Sequence, residues 1–388
     1  MLTRRRFVHT LGLGAAACVG ARGRENAIWS ALETPLEAVE RGVICLSSNE
    51  NPLGPGPAVL DAIKAAFGPA GATPGRYSGS ARDLIDALAT RLAVKPENIV
   101  LGCGSTQILR SCTHLFTAKD KPLVGTIPTY EECAGYAEMM GHPVRPVALD
   151  ASLEVDLGTL AAAAKGSGLV FYCNPNNPTA TYVGARATRE FLARVNRESP
   201  DTTVLVDEAY YDYVTDPDHA THIPIAVENP RVIVARTFSK AYGMAGLRIG
   251  YAVGHPETIK QMAEWDAGSG TSSLNVLAMR AAIAATEREE SFVASERARN
   301  KDVRDFTMKW FADRGMTPTR SQANFMFVNI GRPVKEFRDA CARQGVKVAR
   351  DFPPFEKTHC RISFGTMDEM KKAVAVFDRI LGKKAAAA

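Results

Sequence analysis

"TTVLVDE", Thr202 to Glu208, is an aliphatic, β-branched run that ends on two carboxylates. A run of this kind reads as a strand covered on both faces. "GLVFYCN" (Gly168–Asn174) precedes it and "RVIVART" (Arg231–Thr237) follows it, with the same buried character. Between the first two, Ala185–Glu198 reads as a helix. Upstream, Asp83–Leu92, Thr106–Phe116 and Glu131–Met140 read as helices, and Ile99–Leu101 and Pro122–Gly125 as short strands. Strands separated by helices define an α/β fold with a mostly parallel sheet.

Both ends of the chain differ from this pattern. "SSNENPLGPGPAVL" is a Pro/Gly-rich arm with no regular structure expected before about Ala58. From Leu274 to Arg314 the pattern is largely helical and charged, long enough to bridge two domains. Short strands in "NFMFVNI" and "CRISFG" and two more helices then predict a smaller α+β domain. The expected division is an export signal at 1–24, an arm at 25–66, a large domain at 67–274 and a small one at 275–388.

The bulk numbers narrow the function. The chain has 388 residues, 46% hydrophobic and 23% charged, which suits two packed domains or one large domain with an appendage. Part of the net charge of +5 sits in Arg4, Arg5, Arg6, Arg22 and Arg24, so charge makes no case for nucleic acid. No apolar run approaches a membrane span. The 8 cysteines and 7 histidines are scattered, without metal-ligand spacing, so no metal is expected. The methionines and apolar residues of "CAGYAEMMG" read as core, the "EREE" run as a solvated face, and Trp29, Trp265 and Trp310 as packing residues. "TRRRFVHTLGLGAAACVGARG" has the layout of a twin-arginine export signal, which implies a periplasmic protein. The alternative is a basic tail on a cytoplasmic one.

Functional groups in such a sheet belong at the carboxyl ends of the strands. "GCGST" offers Ser105 and Thr106 at a helix start, either for an anion or as a plain N-cap. "CNPNNPTA" presents Asn177, "VDEAYYDY" presents Asp207 and Tyr210, and "RTFSKAYGMAGLRIGY" places Lys240 beside Thr237, Ser239 and Arg248. Together these supply an anion site, a carboxylate and an amine. A pyridine aldehyde phosphate needs those same three groups.

In this order the motifs resemble the fold-type-I pyridoxal-phosphate (PLP) aminotransferases of class I/II, in particular their histidinol-phosphate aminotransferase branch. The resemblance runs from "LSSNENPLGP" through "RYSGS", "NPNNPT", "VDEAYYDY" and "RTFSKAYGMAGLRIGY" to "CRISFGT". It implies a large domain with a mostly parallel seven-stranded sheet, a smaller α+β domain, and transfer of an amino group between an L-amino acid, or a histidinol-phosphate-like amine, and a 2-oxo acid. A lyase, decarboxylase or cyclase on the same fold, or a non-catalytic PLP-fold binding protein, are the alternatives. The resemblance gives Lys240 the Schiff base, Asp207 the pyridine nitrogen, and Asn177 and Tyr210 the ring hydroxyl. Tyr130 stacks on the ring. Ser105, Thr106, Thr237, Ser239 and Arg248 hold the phosphate, with Tyr77 reaching it from the partner subunit of a homodimer. Arg361 takes the substrate carboxylate, and Asn51 and Arg350 lie on the substrate side. Arg350 could equally pair with Asp351 at the surface. "RYSG" and "GSTQ" depart from the branch pattern, which directs the expectation towards an aromatic or basic donor rather than histidinol phosphate. Replacing Arg4 and Arg5 by lysine should retain the protein in the cytoplasm. Fractionation that still finds the variant exported would refute the signal.

Overall fold

The computed structural model describes residues 42–67, 75, 81–265 and 274–382. The export signal, Trp29 and Tyr77 lie outside the described residues. The strands are β1 (Ile44–Leu46), β2 (Ile99–Gly102), β3 (Leu123–Ile127), β4 (Val144–Ala148), β5 (Leu169–Cys173), β6 (Thr203–Asp207), β7 (Val232–Thr237), β8 (Gly250–Gly254), β9 (Phe325–Asn329), β10 (Val346–Val348) and β11 (His359–Ser363). The helices of the first half are α1 (Pro57–Phe67), α2 (Arg82–Leu92), α3 (Gly104–Phe116), α4 (Glu132–Met139), α5 (Leu157–Ala163), α6 (Ala185–Glu198) and α7 (Ile223–Glu228). Those that follow are α8 (Pro256–Trp265), α9 (Val276–Arg288), α10 (Glu290–Ala312), α11 (Val334–Ala342) and α12 (Met367–Leu381).

Seven strands form one sheet in the order β2-β8-β7-β6-β5-β3-β4. β4, β3, β5, β6 and β7 run parallel, while β8 is antiparallel to both β7 and β2. The expected parallel core is present. The alternating side-chain directions of a strand explain its composition. Val170, Tyr172, Val204, Val206 and Val234 pack on one face against Leu88, Phe191, Leu192, Val195 and Ala282. Phe171, Leu205, Ile233 and Ala235 pack on the other against Ile108, Leu109, Cys112 and Met262. Both faces are dry, so the strands have no polar alternation.

A separate apolar core joins β1 and β9–β11 to α10–α12 through Leu46, Phe311, Met326, Phe337, Ile362 and Phe377. β1 pairs parallel with β10, and β9 antiparallel with β11. Residues Ile44–Leu46 therefore share a core with the C-terminal segment.

Three sequence readings are corrected. Met139 is not core but 71% exposed, because α4 buries only its Cys133 and Ala137 side. Glu289 of "EREE" is not solvated. It is buried, and its Oε1 accepts the Ala58 N–H at 2.7 Å, satisfying an otherwise orphaned donor in the first turn of α1. Trp265 is 37% exposed against the His114 ring, whereas Trp310 packs on Phe311 and Phe377 as expected. Among the described residues no cluster suits a metal, and no helix is long and apolar enough to cross a membrane.

Two glycines allow the backbone contacts that build the site. A Cβ on Gly250 would lie 2.5 Å from the Ser105 nitrogen, and one on Gly104 would lie 2.4 Å from Arg248 Nη2. Gly104 also holds φ +70°, which favours glycine. Gly250→Ala should push the start of α3 off β8 and cost about 1–3 kcal/mol. A urea melt within about 0.5 kcal/mol of wild type would show that this approach is dispensable.

Candidate active site

The parallel strands end along one edge of the sheet. Cys173 pairs with Asp207, Asp207 with Ala235, Thr237 with Gly250, and Gly250 with Gly102. The loops after these positions line a cavity of about 270 Å³. Ser105, Thr106, Tyr130, Asn177, Asp207, Tyr210, Thr237, Ser239, Lys240, Arg248, Arg350 and Arg361 all border it, so among the described residues the site read from the sequence converges here with one exception, Asn51.

One wall is an anion cup. The N-cap of α3 is Cys103, and it makes no side-chain cap. Ser105 and Thr106 therefore sit in the first turn rather than capping it, and the turn's N–H groups point to the cavity end of the helix. Thr237 Oγ1 donates to Ser239 Oγ at 2.9 Å and accepts the Ser239 N–H at 3.1 Å. Arg248 Nη1 lies 3.4 Å from Ser239 Oγ and donates to the Ala245 carbonyl at 3.0 Å. Arg248 adopts the left-handed region at φ +56°, uncommon for a side chain of this size. That turn brings its guanidinium back over Gly104.

Lys240 and Asp207 are poorly compensated charges. Lys240 Nζ donates to the Ser48 carbonyl at 3.2 Å. Burial, with Arg361 adding to it, pulls its amine down to about 8. Asp207 is 3% exposed and accepts the Ala209 N–H at 3.1 Å. The Cys173 thiol lies 3.9 Å from Asp207 Oδ2. Burial pushes this carboxyl up to about 7, against the opposing pull of the Ala209 N–H and of Lys240. It is thus a buried carboxyl at a strand end, not a solvated one. A carboxylate so placed favours a cationic N–H donor in the cavity.

Arg361 on β11 supplies the opposite wall. Its Nη1 donates to Asn177 Oδ1 at 2.7 Å and its Nη2 to the Ser47 carbonyl at 2.5 Å, while its buried Nε has no partner among the described residues. Burial lowers it to about 10, so it remains a cation. The Tyr210 hydroxyl accepts from Asn49 Nδ2 at 3.0 Å, and Asn49 Oδ1 accepts from Ser363 at 2.7 Å. Burial pushes the Tyr130 hydroxyl above its usual range, with Thr106 pulling the other way.

Asn51 does not reach the cavity. Its Nδ2 donates to the Ala241 carbonyl and its Oδ1 accepts the Leu53 N–H, both at 2.9 Å, so its amide is consumed by bracing the arm against the lysine loop. Asn49, two positions earlier in the same "SSNENP", borders the cavity instead. Arg350 does border the cavity, but its ion pair is with Glu131 at 2.5 Å, while Asp351 pairs with Arg338. Sequence reading also missed Glu208. Burial pushes its carboxyl up, but Arg236 at 2.7 Å and His222 at 3.1 Å outweigh that and hold it down to about 2. The adjacent "DE" pair was the available signal.

Comparison with known proteins decides the family. The sequence profile described as "Aminotransferase class I and II" matches residues 41–377. The chain belongs to this family. A histidinol-phosphate aminotransferase of Moorella thermoacetica is 36% identical over 358 residues, 89% of each chain. The crystal structure of histidinol-phosphate aminotransferase from Sinorhizobium meliloti in complex with pyridoxal-5'-phosphate superposes with a TM-score of 0.78 at 28% identity, covering 90% of this chain and 96% of that one. An aspartate aminotransferase from Thermus thermophilus shares the fold with a TM-score of 0.76 at 24% identity, over 89% and 94% of the two chains. The protein is a PLP-dependent aminotransferase with the α/β fold of type I. The residues fit that cofactor, with a cup of hydroxyls and Arg248 for its phosphate, a buried carboxylate lacking a cation for its ring nitrogen, and a weakly basic amine for its carbonyl.

Asp207 has a measurable cost in the cofactor-free aminotransferase. Its folded pKa of about 7 lies above the ordinary carboxylate value, so the native state binds the extra proton between about pH 4 and 7. Stability falls as pH rises through that window. Asp207→Asn should therefore stabilise the cofactor-free protein at pH 8 by on the order of 1–3 kcal/mol, with the gain vanishing towards pH 4. A denaturant melt showing a pH-independent difference would refute the uncompensated carboxylate.

Proposed function

We propose that Lys240 is the catalytic amine of an aminotransferase that moves an amino group from an aromatic or basic L-amino acid to a 2-oxo acid. The observation that carries this reading is the meeting of Lys240, Asp207 and Arg361 in one cavity with an anion cup. Bound there, PLP supplies a carbonyl carbon that takes the donor's amine and a ring that accepts electrons from the donor's Cα. Asp207 holds the proton on the ring nitrogen. Asn177 and Tyr210 bond the ring hydroxyl, and Tyr130 covers the ring face. Ser105, Thr106, Thr237, Ser239 and Arg248 hold the phosphate. Lys240 Nζ moves the proton from Cα, and its pKa of about 8 leaves an appreciable neutral fraction near neutral pH. Arg361, which borders the cavity, binds the donor's α-carboxylate with its guanidinium and so orients Cα.

The same reading includes a large cofactor-binding part at 67–274 and a smaller part at 275–388 that carries Arg361. It also includes a homodimer, supported by exposed Leu53, Leu60 and Phe67 along the arm and α1. Tyr77 then reaches the phosphate of the neighbouring site. Export through the arginine-led N-terminus completes the proposal, supported by "TRRRF".

Lys240→Ala should retain noncovalent PLP, lose the absorbance of the covalently held form, and lose essentially all turnover. Near-wild-type activity would refute the assignment. A screen of amino donors against 2-oxoglutarate and pyruvate identifies the substrates, and release of carbon dioxide in place of transfer would overturn transamination.

A further inference from the structure

Behind Tyr130 lies a second cavity of about 280 Å³. Tyr130 and Arg350 border both this space and the catalytic one. Glu131, Tyr136 and Met139 line its far side.

Arg350 is held from three directions. Its Nη2 donates to Glu131 Oε2 at 2.5 Å, and its Nη1 lies 3.3 Å from Glu131 Oε1 and donates to the Asp351 carbonyl at 2.9 Å. Its guanidinium sits 4.4 Å from the Phe352 ring centre. Glu131 comes from the residue before α4 and Arg350 from a loop after β10, so the pair spans two distant parts of the chain. Both side chains are about half exposed, 54% for Arg350 and 55% for Glu131, so the pair can be broken by a competing charge.

Arg361 lies on the same ring, 4.8 Å from the centre of Phe352. A ligand whose α-carboxylate occupies Arg361 can therefore extend its side chain past Tyr130 towards Arg350. A neutral aromatic end meets Tyr130, Tyr136 and Met139 and leaves the ion pair intact. A basic end meets the Glu131 carboxylate. An anionic end reaches Arg350 only by displacing Glu131.

We propose that Glu131 is a specificity-determining residue. By occupying Arg350, it makes the site discriminate against donors and acceptors whose side chain ends in a carboxylate or phosphate. The proposal rests on the reading of Arg361 as the α-carboxylate site.

The test uses the PLP-loaded enzyme and two inert probes, succinate and 3-phenylpropionate, with binding measured by calorimetry. Glu131→Gln should tighten succinate about three- to fivefold and leave 3-phenylpropionate within about twofold. In the Arg350→Gln background the same change should have no effect on succinate, as a double-mutant cycle requires. The kcat/KM for glutamate relative to phenylalanine should rise with the succinate affinity. Unchanged or weaker succinate binding in Glu131→Gln, equal tightening of both probes, or a gain that survives loss of Arg350 would overturn the role of Glu131. Arg361→Gln should abolish binding of 3-phenylpropionate. Retained binding in that variant would refute the carboxylate site itself, separately from Glu131.

Discussion

The register of β5, β6 and β7 is the constraint on which the rest of the site depends. It sets Cys173, Asp207 and Ala235 side by side at the carboxyl edge of the sheet. Parallel strands send all their following loops to that edge, so residues far apart in sequence are brought to one place. Antiparallel β8 adds Gly250 to the row, and its missing side chain lets the first turn of α3 approach. The anion cup is thus a product of backbone packing, and its hydroxyls and Arg248 complete it.

Electrostatics then explains why this edge is reactive. Lys240, Arg248 and Arg361 share a confined space with Asp207. Burial weakens each charged form, depressing Lys240 and raising Asp207, and among the described residues neither forms an ion pair. The contrast is Glu208, one residue beyond Asp207. It is equally buried but clasped by Arg236 through both Nε and Nη2, and it stays firmly ionised. Adjacent carboxylates thus have opposite fates. Glu208 ties β7 to the loop after β6, while Asp207 is left with unmet demand that a ligand can satisfy.

Much of the fold was legible because hydrophobic periodicity is a local signal. Ala185–Glu198 appears at the bounds its pattern predicted, and the runs around Val170, Val204 and Val234 became central strands. The cavity residues from Ser105 to Arg248 were legible because each stands at or just after a strand end. Less visible was which neighbour would spend a residue's hydrogen bonds. Asn49 and Asn51 look interchangeable in "SSNENP", yet the arm's path gives one to Tyr210 and Ser363 and the other to backbone groups. Met139 misled for a related reason. An eight-residue helix buries one narrow stripe, and the pattern alone does not say which methionine lies on it.

The sequence by itself determined the α/β class, the buried strands and the order of the motifs. These follow from composition and spacing, which act over a few residues. Only the tertiary structure decided that Arg350 is held by Glu131, that Glu289 anchors the start of α1, and that Arg236 clasps Glu208. Each of those depends on two segments meeting within about 3 Å. Loop paths and strand register decide such meetings, and they are set by the packing of the whole chain.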